Sequence, residues 1–174
     1  MTPPPEPLAP PSALPGDRSR RATGIVAGVL ALLLAALLVV EGARVARLPS
    51  DQIVSWNVII DDGFYYLQVA RNLARGHGST FDRVNVTNGY QPLWGLALTP
   101  LFWFAQSPES GMHAALVLAA ALSGLALLCL YLGLARLLGF GVALLTAALI
   151  VANPYFLQIL QGGLETPILF LSLA

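Results

Sequence analysis

The chain has 174 residues, of which 56% are hydrophobic and only 10% are charged. Soluble domains average roughly 45–50% apolar and about 25% charged residues, so this composition indicates an integral membrane protein. The formal net charge is zero and the nine cations, all arginines, form no dense basic patch, so nucleic-acid binding has no support.

The N-terminal segment combines a proline-rich leader with an apolar run. Residues 1–17 contain seven prolines, and we expect 1–23 to be a disordered cytoplasmic leader. Residues 24–40 are uncharged and just long enough to span a bilayer. Three arginines precede this run, against Arg44 and Arg47 after it, which favours a cytoplasmic N-terminus. A cleavable signal peptide is the alternative, disfavoured by the length of the run and the lack of a good cleavage site.

Residues 41–112 are predicted to form a long external loop. Its first part, 41–91, mixes acids with aromatic residues, and long loops of this kind are commonly functional. Residues 92–105 are apolar but short, and Pro100 interrupts them, so an interfacial or re-entrant helix is expected there rather than a span. Trp94 and Trp103 are expected at headgroup depth.

Further apolar runs predict spans at about 113–135 and 139–160 and the start of another helix from 167. Cys129, the single cysteine, lies inside the first of these runs and is expected to pack there. If 92–105 is not counted as a membrane span, Glu165 lies on the same side of the membrane as Asp61. The contrary count, with 92–105 spanning, would leave Glu165 in the cytoplasm. The predicted fold is therefore all-α, a polytopic transmembrane helix bundle with a long external first loop containing short interfacial helices.

The adjacent acids Asp61 and Asp62 begin a predicted amphipathic helix that Gly76 ends. Asp62 is the expected N-cap, which leaves Asp61 as the freer acid. The positive end of the helix dipole favours ionised carboxylates here, so either acid is a candidate base or metal ligand. Capping and solvation alone are the plainer interpretation of such a pair.

Four stretches carry a resemblance to a known superfamily. In chain order they are Asp-Asp-Gly-Phe-Tyr-Tyr at 61–66, Gln-Pro-Leu-Trp at 91–94, Asn-Pro at 153–154 and Gly-Leu-Glu-Thr at 163–166. Together they resemble the N-terminal part of C-superfamily (GT-C) glycosyltransferases, polytopic enzymes that include protein O-mannosyltransferases and lipid A aminoarabinose transferases. The resemblance covers residues 24–174. Gln91-Pro92 stands where many relatives have a basic residue before two prolines, so that cation is missing.

The resemblance implies an enzyme that moves a sugar from a polyprenyl-phosphate donor to an unidentified acceptor on the external face of a bacterial-type plasma membrane. It implies Asp61 and Asp62 as the catalytic pair and Glu165 as the second acid, with Asp62 and Glu165 as candidate ligands of a divalent metal such as Mg or Mn. Candidate substrate contacts are Glu165, Tyr65, Tyr66, Asn88, Tyr90, Gln91 and Trp94. For the aromatic residues, anchoring at the membrane interface is an equally good interpretation.

Three further interpretations stay open. Arg71, Arg75, Arg83 and His77 are candidate phosphate or sugar contacts, although solvated surface positions explain them as well. The chain stops inside an apolar run, which indicates an N-terminal portion of a longer, catalytically complete protein, and this portion is expected to be inactive by itself. A naturally short chain is the alternative. The alternative function is a non-catalytic membrane protein, such as a transporter or an assembly subunit, whose loop only binds.

Overall fold

The computed structural model describes residues 15–174, with side chains from residue 19 onward, and the predicted leader at 1–14 lies outside the described residues. The described part is helical, with a single isolated β-bridge between Thr80 and Val86. Its helices in chain order are α1 (Pro15–Val45), α2 (Ser50–Ser55), α3 (Asp61–Ala74), α4 (Pro92–Phe104), α5 (Pro108–Leu137), α6 (Phe140–Val151), α7 (Pro154–Gln161) and α8 (Thr166–Leu173).

Two helices, α1 and α5, are long and apolar enough to cross a membrane. The candidate spans are Ser19–Val45 and Pro108–Leu137, and the bent pair α6 and α7 is a third if it is counted as one span. At 1.5 Å per residue, a 30-residue helix such as α5 is about 45 Å long, which exceeds the roughly 30 Å hydrocarbon core of a bilayer. The composition and these helices together describe a membrane protein.

Helices α1 and α5 pack against each other in antiparallel directions. His113 lies 2.7 Å from the carbonyl oxygen of Ala46, and a Cβ on Gly42 would lie 2.4 Å from that of Ala120. A Cβ on Gly124 would lie 3.3 Å from the Ala35 carbonyl. Small residues at these positions let the two backbones approach closely, which is how helices associate where lipid removes the hydrophobic driving force. We call the end marked by Ala46 and His113 the loop end.

Helices α6, α7 and α8 lie along α1 and α5 between the two ends. Phe140 at the start of α6 lies against Gly24 of α1, at the end opposite the loop end, whereas Gln161 at the end of α7 lies near Gly42. Helix α8 then starts at Thr166 and runs back until Ala174 meets Gly133 of α5. The turn between α7 and α8, which carries Glu165, is therefore at the loop end.

Several helix boundaries differ from those predicted. The helix expected from residue 24 begins at Pro15, so 15–23 are helical rather than part of a disordered leader. The helix expected from 113 begins at Pro108, where Ser107 and Ser110 form a capping box that the sequence pattern Ser-Pro-Glu-Ser already contained. The predicted single helix at 139–160 is two helices bent by 73°. The break falls at Asn153-Pro154 because proline lacks the N–H and disfavours helix at the residue before it.

Helix α4 covers the predicted short apolar segment and lies against the loop end. Its first turn contacts the turn between α7 and α8 through Trp94, and Phe102 in its last turn packs on Gly111 of α5. At 13 residues it is about 20 Å long. One face is buried, and the other exposes a continuous apolar stripe formed by Leu93, Leu96, Trp103 and Phe104. An interfacial or re-entrant location of α4 stays a prediction.

Candidate active site

The acidic pair occupies the first turn of α3. The N–H groups of Gly63 and Phe64 donate to the carbonyl of Ile60 at 2.8 and 3.4 Å, so Ile60 is the N-cap. The prediction that Asp62 caps the helix is therefore wrong, because the helix starts one residue before it and no side chain caps it. Both aspartates are exposed, at the positive end of the helix dipole, where anionic groups are stabilised.

Gly63 brings this turn into backbone contact with the segment that carries Glu165. A Cβ on Gly63 would lie 2.6 Å from Cγ2 of Ile59 and 2.8 Å from the carbonyl oxygen of Gly162. Gly163 has φ of +80°, which favours glycine, and a Cβ there would lie 3.5 Å from Cα of Gly63. The two glycine-containing turns thus approach more closely than side chains would allow, and they place Asp62 and Glu165 in one neighbourhood.

Trp94 holds α4 to the same place. Its side chain is fully buried, and its Nε1–H donates to the carbonyl oxygen of Gly163 at 2.9 Å. The prediction that Trp94 stacks on a sugar does not fit this burial, since neither face of the indole is open, whereas its depth relative to lipid headgroups stays a prediction. Trp94 is instead a structural residue, and sequence reasoning missed the role because aromatic residues beside acids are also typical of sugar sites.

Tyr66 lies near both acids. Its phenol is buried, and burial first, then the negative charges of Glu165 and Asp62, raise its pKa above the usual 10.0. The backbone N–H of Gln91 faces the phenol oxygen and acts in the opposite direction. The Tyr66 ring also packs edge-on against Tyr90. Tyr66, Asp62, Glu165 and Gln91, which are distant in sequence, therefore surround one point.

Glu165 has one oxygen that the fold leaves without a partner. The residue is half-buried at the N-cap position of α8. Its Oε2 is inaccessible to solvent and accepts no hydrogen bond from the described residues. A buried carboxylate oxygen without a donor is costly, so a proton, a ligand hydroxyl or a cation at this point would stabilise it. This is the chemistry expected of a site that binds a sugar or a metal.

The loop between α3 and α4 is fixed over the site by hydrogen bonds and ring stacking. Asn72, fully buried in α3, donates from Nδ2 to the carbonyl oxygens of Thr80 at 2.8 Å and Phe81 at 2.9 Å. The Tyr65 ring stacks on Phe81 at 5.2 Å, and its hydroxyl hydrogen-bonds to Thr87. Sequence reasoning missed Asn72, whose only signal is a polar residue on the buried side of an amphipathic helix.

The other predicted contacts border the same site. Ser79 donates to the hydroxyl of Tyr90 at 2.9 Å, and Asn88 and Gln91 are exposed on the segment that leads into α4. Tyr65, Tyr66, Tyr90 and Gln91 therefore lie in one contact network with Asp62 and Glu165. Asp61 is adjacent and open to solvent.

The metal prediction rests on two carboxylates. Among residues 19–174 there is no group of three or more His, Cys, Asp or Glu side chains arranged to hold an ion. Asp62 and Glu165 with the phenol of Tyr66 offer oxygen donors, the type that Mg²⁺ and Mn²⁺ prefer. Ligands from a bound phosphate would complete such a shell, so the divalent metal stays a prediction.

Comparison with protein-family models, curated proteins and solved structures gave no match.

Proposed function

We propose that the protein is a membrane glycosyltransferase that moves a sugar from a polyprenyl-phosphate donor to an acceptor. The observation that carries this proposal is the backbone contact of Gly63 with Gly162 and Gly163, which brings the segments of Asp62 and Glu165 together near Tyr66. Carboxylates from separate segments that converge beside aromatic residues are typical of sugar-handling sites. The resemblance of residues 61–66, 91–94 and 163–166 to C-superfamily enzymes supports the same chemistry.

In this mechanism Asp61 is the base. It is exposed, so an acceptor can reach it, and its carboxylate would take the proton of the acceptor nucleophile as that atom attacks the anomeric carbon. The bond from the anomeric carbon to the phosphate oxygen breaks, and polyprenyl phosphate leaves with the electron pair. Asp62 and Glu165 bind the sugar or a divalent metal that offsets the charge on the leaving phosphate.

The location of the acids fits a donor that stays in the bilayer. They lie beyond the end of α1 and beside the start of α5, at one end of the candidate spans rather than along them. A polyprenyl chain can remain in lipid while its sugar phosphate reaches that end. We propose that this end faces the external side of a bacterial-type plasma membrane.

A non-catalytic transporter or assembly subunit is the competing proposal. Transporters commonly place ionisable residues near the bilayer midplane, inside broken helices. In the described chain the break between α6 and α7 carries Asn153 and Pro154 but no acid, and the acids gather at the loop end. This distribution favours the enzyme.

The test is sugar transfer by the full-length protein and by its Asp61→Asn variant. We expect Asp61→Asn to reduce transfer from a polyprenyl-phosphate sugar by about 10²–10⁴-fold, as removal of a general base does. Asp51→Asn is the matched control, because Asp51 is also exposed in the first turn of a loop helix. Undiminished transfer by Asp61→Asn would remove Asp61 from the mechanism.

A further inference from the structure

Three arginines gather beside α3 without acidic partners. Arg71 and Arg75 are one turn apart on this helix, and Arg83 comes from the following loop. The loop that carries Arg83 is held to α3, because the carbonyl oxygen of Phe81 accepts from Gln68 at 3.3 Å and from Asn72 at 2.9 Å. Burial first, then repulsion from Arg75 and from Arg83, lowers the pKa of Arg71. None of these three arginines forms an ion pair with a carboxylate among residues 19–174.

The nearest acid in sequence is engaged elsewhere. Asp82 accepts hydrogen bonds from the backbone N–H groups of Val84 and Asn85 at 2.9 and 2.8 Å and from the Asn85 side chain. These donors lower the pKa of Asp82 to about 2. The Asp82 carboxylate therefore stabilises the turn at residues 82–85 through these hydrogen bonds, and it does not form an ion pair with the neighbouring Arg83.

Arg71 also has a donor with nothing to bind. It is half-buried, and its Nε is inaccessible to solvent and has no hydrogen-bond acceptor among the described residues. Arginine stays protonated in proteins, so the group is a buried donor on a permanent cation. Such a donor beside two like charges is costly unless an anion binds, and a phosphate, with several acceptor oxygens, fits the planar guanidinium.

A cavity of about 300 Å³ opens beside Arg71. Its wall is mainly apolar, with residues from α2, α3, α4 and α5, namely Val54, Phe64, Leu67, Phe102 and Met112. Gln68 and the exposed Glu109 also line it. Phe102 lines the cavity from the buried face of α4, whereas Val54 of α2 is exposed and stands at its edge. The guanidinium of Arg71 beside a mainly apolar wall matches an amphiphile with an anionic head.

We propose that this cavity and the arginines Arg71, Arg75 and Arg83 bind a lipid-borne phosphate, with the first carbons of the lipid chain in the cavity and the phosphate on the guanidinium groups. Under the proposed function, on which this part of the inference rests, the phosphate is that of the polyprenyl donor. The phosphate would then lie against α3, the helix that begins with Asp61 and Asp62, and the arginines would hold the leaving group.

The test measures binding rather than transfer. The chain in nanodiscs of neutral phospholipid is titrated with polyprenyl phosphate, with polyprenol and with inorganic phosphate, and binding is read by native mass spectrometry. We expect polyprenyl phosphate to bind at least tenfold more tightly than polyprenol, and inorganic phosphate not to displace it at equal concentration. Equal binding of polyprenol, or full displacement by inorganic phosphate, overturns the proposal.

Variants locate the site. Arg75 and Arg83 are exposed, so the double variant Arg75→Ala/Arg83→Ala is expected to fold and to weaken binding of polyprenyl phosphate about tenfold. Arg71→Lys keeps the positive charge but loses the planar guanidinium with its paired N–H donors, and it should weaken binding less. Arg136→Ala, at the opposite end of α5, is the control and should bind as the parent does. Unchanged binding by the double variant overturns the site. If the double variant of the full-length protein loses binding but keeps transfer, the bound phosphate is not that of the donor, so this inference fails and the proposed function stands. If the full-length protein binds polyprenyl phosphate but transfers no sugar, the proposed function fails and the binding site stands.

Discussion

At the scale of single residues, the candidate site depends on two glycines more than on its acids. Gly63 and Gly163 let the start of α3 touch the turn before α8, and that contact is what brings Asp62 toward Glu165. The acids themselves are ordinary helix-start residues, stabilised by the dipoles of α3 and α8. A substitution that separates the turns should therefore affect the site without touching a carboxylate.

Gly63→Ala tests that dependence. The new Cβ would lie 2.8 Å from a backbone carbonyl oxygen, so we expect overpacking to reduce the free energy of unfolding by about 1–3 kcal/mol. Gly28→Ala is the matched control, because nothing lies within 4 Å of a Cβ there, and its stability should be unchanged or slightly higher. Thermal unfolding in detergent compares the two. Equal melting temperatures would show that the glycine contact is absent.

Tyr66 provides a direct measure of the nearby acids. Its pKa is raised above 10.0 by burial, by Glu165 and by Asp62, so Glu165→Gln should lower it toward the usual value. Because the phenol is neutral below its pKa and the folded pKa is the higher one, its contribution to stability is fully present below about pH 10 and is lost as the pH rises through the folded pKa.

Absorbance titration of the phenols, with Tyr66→Phe to identify the residue among the five tyrosines, makes this measurement. Asp51→Asn is expected to leave the titration of Tyr66 unchanged. If Glu165→Gln also left it unchanged, the carboxylate would not be near the phenol, and the convergence of the two segments would be wrong.

At the scale of helices, α4 acts as a brace between the acidic turn and the start of α5. Its buried face carries Trp94, Leu98 and Phe102, and its ends contact Gly163 and Gly111. The short apolar length and Pro100 were visible in the sequence, so a non-spanning helix could be predicted. Its docking partners could not, because they are set by the side chains of α5 and of a turn that is distant in sequence.

Trp94→Phe tests whether the hydrogen bond between α4 and Gly163 stabilises the fold. Phenylalanine keeps an aromatic ring but cannot donate to Gly163, so a buried carbonyl oxygen loses its partner, at a cost of about 1–3 kcal/mol in the free energy of unfolding. Trp103→Phe is the control, since Trp103 is exposed and should change stability little. Equal denaturant midpoints for the two variants would contradict a structural role for the buried indole.

At the scale of the whole molecule, the antiparallel packing of α1 and α5 puts the acids, α4 and the turn before α8 at the loop end. Arg136, near the last residue of α5, is at the other end. If α5 crosses a bilayer, these two groups of residues face different compartments.

Cysteine labelling from one side of the membrane tests this arrangement. In a Cys129→Ala background, Asn88→Cys and Glu109→Cys should react with an impermeant reagent from one side, and Arg136→Cys should react only from the other, because α5 is longer than the hydrocarbon core. Reaction of Arg136→Cys from the same side as Glu109→Cys would contradict a crossing by α5.

The sequence by itself determined the membrane character, the helical class and the approximate positions of the long helices, since these follow from local composition and from the need of each segment to satisfy its own backbone hydrogen bonds. It also selected most residues of the candidate site. Helix ends were less predictable at residues 15, 108 and 153, because caps and breaks depend on a few side chains.

Only the tertiary structure decided which of the selected residues meet. It brought Asp62, Tyr66 and Glu165 together, buried Trp94 against Gly163, and left Arg71 with an unpaired donor beside a cavity. The physical reason is that these relations depend on close backbone approach between distant segments, which glycines permit and packing selects, and no local pattern along the chain specifies such an approach.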